Sequence, residues 1–423
     1  MDKQYVRDTA YLQHDGNFRF RGSQKMESGM YFIVMLPEMD FFQILIDDDT
    51  QHFTIETDAL NYANAIQFKN STQNTVFYEF LRYLQQQSKE RKKLKSQREL
   101  VQNDSKQLAI IEEQLELINN AILDEQRRII NSHPKSLLAL LLKTQLPFEQ
   151  REFKGKEDEV VLAQWNYTLK HYFDNIDLGD PRLLRTPDLF HSVHQYVTEL
   201  QVQRPDSLIR SIDFVLAKMQ PAPETYKNYL IHFLNFYAKS QIIGMDAVYV
   251  HLALNYYAQG KASWMDKNQL ESIIQSAQDL NPLLIGKTAP TLVLQDRNGA
   301  SHALQDIQSK FVLLVFWSPH STRSKNDLRY LSSIQDELTR LGISCVFVCN
   351  QFDEEIDMSC WPHVDGAGLD FGLHLADYDK SSSFQKHFNI KTTPNCYLLD
   401  AEKKIVSKQF GATQLMEIME QFR

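Results

Sequence analysis

Seven consecutive apolar residues, Phe311 to Trp317, set the strongest constraint on what this chain can fold into. No polar residue interrupts F-V-L-L-V-F-W, so the run has no solvent face and reads as a strand covered on both sides. Ser318-Pro319 breaks it. A helical pattern follows at once, carried by Leu328, Leu331, Ile334 and Leu338. Strand, tight turn and helix N-terminus thus succeed one another within Lys310–Lys325. The turn presents His320, Ser321, Thr322, Arg323 and Ser324.

The surrounding segments extend this unit over 283–423. Ahead of the run, Thr291 to Leu294 reads as a strand and Asp296-Arg-Asn-Gly299 as a hairpin turn. After it, Leu341-Gly342 ends the helix and Ile343 to Val348 forms a second buried strand. A looser stretch holding Cys360-Trp361-Pro362 and several glycines comes next, then a short helix over Phe384 to Ile390. Lys391-Thr-Thr-Pro394 leads into a strand ending at Asp400, with a further strand over Lys404 to Lys408 and a closing helix over Gln414 to Phe422. Strand–helix–strand, then proline–strand–strand–helix, describes an α/β domain.

The upstream chain divides by periodicity. Residues 1–70 suggest a small antiparallel β domain, with strands at Asn17 to Phe20, Met30 to Leu36, Phe41 to Ile46 and His52 to Glu56. Residues 71–134 switch to helical spacing. Phe77, Phe80, Leu81 and Leu84 fall on one helix, and Ile111, Leu115, Ile118, Ile122 and Ile129 on a second, joined near Asn103-Asp104. Packing inside the monomer is the favoured reading of this hairpin, and self-association through 73–132 the alternative. Residues 135–282 are helical throughout, broken at Asp180-Pro181, Arg204-Pro205 and Pro221-Ala222-Pro223. His191 and His194 lie i, i+3 on one helix, but no carboxylate or cysteine completes a metal-ligand spacing. No metal or cofactor is expected.

With 423 residues the chain has room for several cores, and a net charge of −9 argues against a nucleic-acid binder. No apolar run approaches a membrane span and no secretory leader is recognisable before residue 30. The four cysteines, Cys345, Cys349, Cys360 and Cys396, spell neither a disulfide framework nor a zinc site. Cys345 and Cys349 share a strand face, roughly 13 Å apart at about 3.3 Å per residue, too far to bridge.

Phe316-Trp317-Ser-Pro-His-Ser321-Thr-Arg-Ser324, with Thr393-Pro394 downstream, resembles the TlpA-like branch of the thioredoxin superfamily. That branch carries F-W-x-x-x-C-x-x-C at the end of a strand and a later Thr-Pro with a cis bond. Asp8-Thr-Ala to Gly29-Met-Tyr, Asp174-Asn-Ile-Asp-Leu, Arg185-Thr-Pro and Gly244-Met-Asp-Ala-Val-Tyr-Val resemble the β and helical domains that precede such a fold in bacterial envelope proteins. The resemblance implies a multidomain chain: a partial N-terminal antiparallel β domain lacking its first strands, a central all-α region and a C-terminal α/β thioredoxin fold. It further implies a periplasmic or cell-envelope location.

The same resemblance puts Ser321 and Ser324 where the family has its redox cysteines. Exchange needs a thiolate to attack a disulfide sulfur and a second thiol to resolve the mixed disulfide, and serine supplies neither. A serine nucleophile would need a general base, and His320 is a sequence neighbour that has no orienting acid. Cys349 and Cys396 end and begin strands at the same edge as the turn and are the candidate substitute thiols, weighed against inert core cysteines. Two functions follow as expectations. The first is a non-catalytic module binding a protein or peptide in a groove of Trp317, His320, Thr322, Arg323, Thr393 and Pro394. The alternative is an active thiol–disulfide oxidoreductase, if cysteines belong at 321 and 324 or another cysteine substitutes.

Overall fold

The computed structural model of the chain describes residues 5–58, 61–350, 360–366, 369–378 and 381–422. The chain forms two compact units, 1–203 with 210–229 and 204–209 with 230–423.

In the first unit, β1 (Gly29–Met35) and β2 (Asp40–Ile46) pair antiparallel, Gly29 opposite Ile46 and Met35 opposite Asp40. A second antiparallel pair, β3 (Thr54–Glu56) and β4 (Gln67–Lys69), stands apart from the first. The strand expected at Asn17 to Phe20 is absent. The alternation there is real, but no partner strand meets it, and the exposed Phe18 and Phe20 rings pack edge-to-face on each other at 5.8 Å. The helices Thr72–Leu100 and Ser105–Ser132 begin at side-chain caps, Ser71 and Asp104. Buried Asn74 ties the first helix to β2, its amide exchanging two 2.8 Å hydrogen bonds with the backbone of Leu45. The two helices pack on each other, joined by an Arg98–Glu112 ion pair, and the second packs on the apolar helix Leu137–Thr144. Ile111, Leu115, Ile129 and Ile130 are its buried stripe.

The second unit is organised by a seven-stranded mixed sheet in the order β11-β10-β7-β8-β9-β5-β6. Its strands are β5 (Val293–Gln295), β6 (Ser301–Ala303), β7 (Phe311–Trp317), β8 (Ile343–Cys349), β9 (Leu373–Ala376), β10 (Asn395–Asp400) and β11 (Ile405–Phe410). β7, β8 and β9 run parallel; β10 pairs antiparallel with β7, and β5 with β9. Every residue of β7 is buried, because Phe311, Leu313, Val315 and Trp317 face one core and Val312, Leu314 and Phe316 the other. The first core takes the helices Thr322–Ser333 and Gln335–Arg340, and the second takes Phe384 and Phe388.

Two departures from the sequence reading bear on the site. β9 was not anticipated, and Cys360–Gly366, expected as loose chain, is a short helix. Gly372 leads into β9 with φ +77°, and a Cβ there would meet the Cys345 carbonyl at 2.8 Å, so only glycine fits. The helical segment ahead of this sheet is tied to it through Asp246 and Leu283. Lys408 on β11 is 2% exposed, and its ammonium donates to the Leu283 carbonyl at 2.6 Å and to the Asp246 carboxylate. Asp246 opens the helix Asp246–Leu252.

Candidate functional site

The site forms where β7 stops. Pro319 cannot donate to a ladder, and the chain turns through His320 into the helix Thr322–Ser333. Ser321 caps that helix: its hydroxyl accepts the Ser324 N–H at 3.1 Å and donates to the Thr393 carbonyl at 3.2 Å. Ser324 is fully buried, and its hydroxyl accepts the Ser318 N–H at 3.3 Å. The Thr393–Pro394 bond is cis, and Asn395 opens β10 opposite Phe316, which brings the proline loop against the end of β7.

Both hydroxyls therefore hold the turn. The Ser321 hydroxyl donates to a backbone carbonyl, which cannot act as a base. Around it, His320, Thr322 and Arg323 are exposed, and Thr393 and Pro394 are half-buried. Trp317 does not join them. As the last residue of β7 it points into the core with Val315, at 1% exposure, which removes it from the expected groove.

All four cysteines are accounted for. Cys345 is buried, and burial pushes its thiol up to about 12. Cys396 is fully buried; burial, then the charge of Asp327, pushes its thiol up further, opposed by Arg323. It is a core residue, out of reach of a substrate disulfide. Cys349 is not a free thiol, since it forms a disulfide with Cys360 across a Cα–Cα distance of 6.3 Å. Sequence reasoning did not foresee that pair. Cys349 lies opposite Trp317 in the parallel register, so the disulfide borders the serine turn, and its two residues are 4% and 1% exposed.

One further residue was missed. Asp327, one helical turn beyond Ser324, is a buried carboxylate that accepts the Ala412 N–H at 2.9 Å and fastens the helix to the chain after β11. Its signal was a charged residue abutting the apolar stripe of Leu328 and Leu331. Among the described residues, no cluster of three or more histidine, cysteine, aspartate or glutamate side chains could hold a metal ion.

Comparison with known proteins finds two family matches. Residues 285–408 match the AhpC/TSA family, and residues 161–280 match a domain of unknown function, DUF5106. Residues 285–408 are a thioredoxin-like domain of the AhpC/TSA family. Relatives of the AhpC/TSA domain include the thiol-disulfide oxidoreductase ResA of Bacillus thuringiensis, 24% identical over 133 residues, 31% of this chain and 73% of the relative. The ResA of Halalkalibacterium halodurans is 25% identical over 126 residues, 30% of this chain and 68% of the relative. Among solved structures, a thioredoxin-like protein from Bacteroides caccae is 14% identical, with a TM-score of 0.47, 66% of this chain and 98% of that chain covered. A domain of a possible thiol-disulfide isomerase from Cytophaga hutchinsonii is 24% identical, with a TM-score of 0.29, over 33% of this chain and 94% of that chain. The AhpC/TSA domain thus sits among thiol–disulfide oxidoreductases while carrying Ser321 and Ser324 on its helix N-terminus.

Proposed function

We propose that the AhpC/TSA domain is a non-catalytic binding module for an extended protein or peptide segment. One observation carries this reading: the chain has no exposed thiol. Its four cysteine sulfurs make two buried thiols and one buried disulfide, while both hydroxyls at the helix N-terminus are engaged in holding the turn. What persists is the surface beside them. The exposed His320, Thr322 and Arg323 flank the half-buried Thr393–Pro394 backbone, and an extended peptide laid along that loop would be held by main-chain hydrogen bonds and the Arg323 charge.

We assign the chain to the cell envelope. The reading rests on the family resemblance, and the Cys349–Cys360 disulfide supports it, since disulfides persist in oxidising compartments. No helix among the described residues is long and apolar enough to cross a membrane.

Exchange chemistry is the second reading, and the disulfide bordering the turn is what favours it. A dithiol partner would have to reach a sulfur buried beneath the surface, which weighs against it. The insulin-reduction assay with dithiothreitol separates the two. The unmodified chain is expected to match the rate of dithiothreitol alone, and the Ser321→Cys/Ser324→Cys variant to exceed it. Acceleration by the unmodified chain, lost on Cys349→Ala, would establish the second reading instead.

A further inference from the structure

The helical part of the first unit contains a cleft of about 470 Å³ that has nothing to do with the serine turn. One wall is the helix Pro187–His194 and the turn after it. Asp188, His191, Ser192 and Gln195 line the cleft at i, i+3, i+4 and i+7, a single helical stripe, while Leu189 and Val193 are buried elsewhere on the same helix. The opposite side includes Phe148 and Ile176. A stripe that serves only to pack a helix is apolar; this one is polar and looks into a partly apolar hollow, the composition of a ligand site.

The polar wall has a definite sign. The half-buried Asp188 carboxylate accepts from the Gln145 amide at 3.4 Å, a long contact. Burial is the largest influence on this carboxyl and holds its pKa above the usual carboxylate range, opposed by Gln145 and by the charge of His191. Such a group gains when a cation arrives and repels an anion. Neighbouring groups are already arranged: the Tyr172 hydroxyl donates to the Gln195 side-chain oxygen at 2.7 Å, which fixes both side chains on the wall. The histidines singled out in the sequence part company, with His191 on the cleft rim and His194 stacked on Phe190 at 5.9 Å.

We propose that this cleft binds an ammonium or guanidinium group on an apolar stem, with Asp188 as its counter-ion and Phe148 and Ile176 against the stem. Such a group is carried by a small free amine or by a lysine or arginine side chain of a polypeptide. The site belongs to the helical domain and is independent of the thioredoxin-fold groove.

Calorimetric titration of the full chain tests it with four probes: 4-phenylbutylamine, its carboxylate counterpart 4-phenylbutyrate, the neutral 4-phenylbutanol, and acetyl-Leu-Arg-amide. The expected result is saturable binding of the amine or the arginine peptide and none of the carboxylate. The tighter of the two cationic probes identifies the source. Asp188→Asn should weaken binding roughly tenfold to a hundredfold, the range for a charge-assisted hydrogen bond. His191→Glu, a substitution at an exposed position lining the cleft, should tighten it several-fold. Failure of both cationic probes to saturate, equal binding of phenylbutyrate or phenylbutanol, or unchanged affinity in both variants would overturn the proposal.

Discussion

Replacing Ser321 with alanine should destabilise the protein without touching any activity. The hydroxyl makes two bonds. As helix cap it receives the Ser324 N–H, and losing a serine cap costs about 1 kcal/mol. As donor it reaches the Thr393 carbonyl, a neutral hydrogen bond that contributes about 1 kcal/mol net. The sum is about 2 kcal/mol for Ser321→Ala. Ser324→Ala strands the Ser318 N–H in a fully buried place, costing about 1–3 kcal/mol with almost no change of volume. Because Ser324 N–H is bonded to Ser321, the two losses should not add, and the double variant should fall short of their sum. Urea unfolding followed by tryptophan fluorescence reads these values, and thermal unfolding should move down by about 4–8 °C for the first variant. Alanine variants as stable as the parent would refute a structural role for the hydroxyls.

Further expectations follow from burial and packing. Lys408→Met leaves the Asp246 carboxylate without its ammonium partner and should cost about 3–5 kcal/mol by denaturant unfolding, more than the Lys408→Met/Asp246→Leu pair. Opening the Cys349–Cys360 bridge by Cys360→Ala, which closes a loop of sequence separation 11, should lower stability by up to about 3 kcal/mol at unchanged fold. Cys345 titrates near 12 when folded and near 9 when unfolded, so the unfolded chain loses its proton first. Its contribution is complete below pH 9 and disappears as pH rises toward 12, and Cys345→Ala should flatten the alkaline fall of stability over that window. Gly372→Ala forces a Cβ to 2.8 Å from a carbonyl at positive φ and should destabilise the second unit by more than about 1 kcal/mol, seen as a lower urea midpoint.

The sequence resolved what local pattern controls. Phe311–Trp317 had no polar face to expose, so a doubly covered strand was the available solution, and Ser321 and Ser324 fell on the helix start because Pro319 and the leucine stripe bracket them. Non-local pairing was less readable. Asn17–Phe20 alternates like a strand and finds no partner, while the four residues of β9 join the sheet only because Cys345, Phe347 and Gly372 admit them. Trp317 was expected to line the groove beside the turn, yet period two turns it to the core face that Val315 occupies. The Cys349–Cys360 bridge depends on a 6.3 Å approach set by the helix at Cys360, for which spacing gives no rule. The polar stripe of Asp188 was masked in the same way, because a cleft wall and a solvated helix face share one pattern.

The central claim is that the folded chain offers no sulfur for exchange. Its most direct test is a short pulse of dithiothreitol on the native protein, followed by iodoacetamide and mass measurement. The account predicts no added alkyl group on the folded chain, and four after denaturation in reductant, one for each cysteine. Rapid alkylation of Cys349 and Cys360 in the folded protein after the pulse, and its absence when the reductant is removed and the bridge re-forms before iodoacetamide is added, would contradict it.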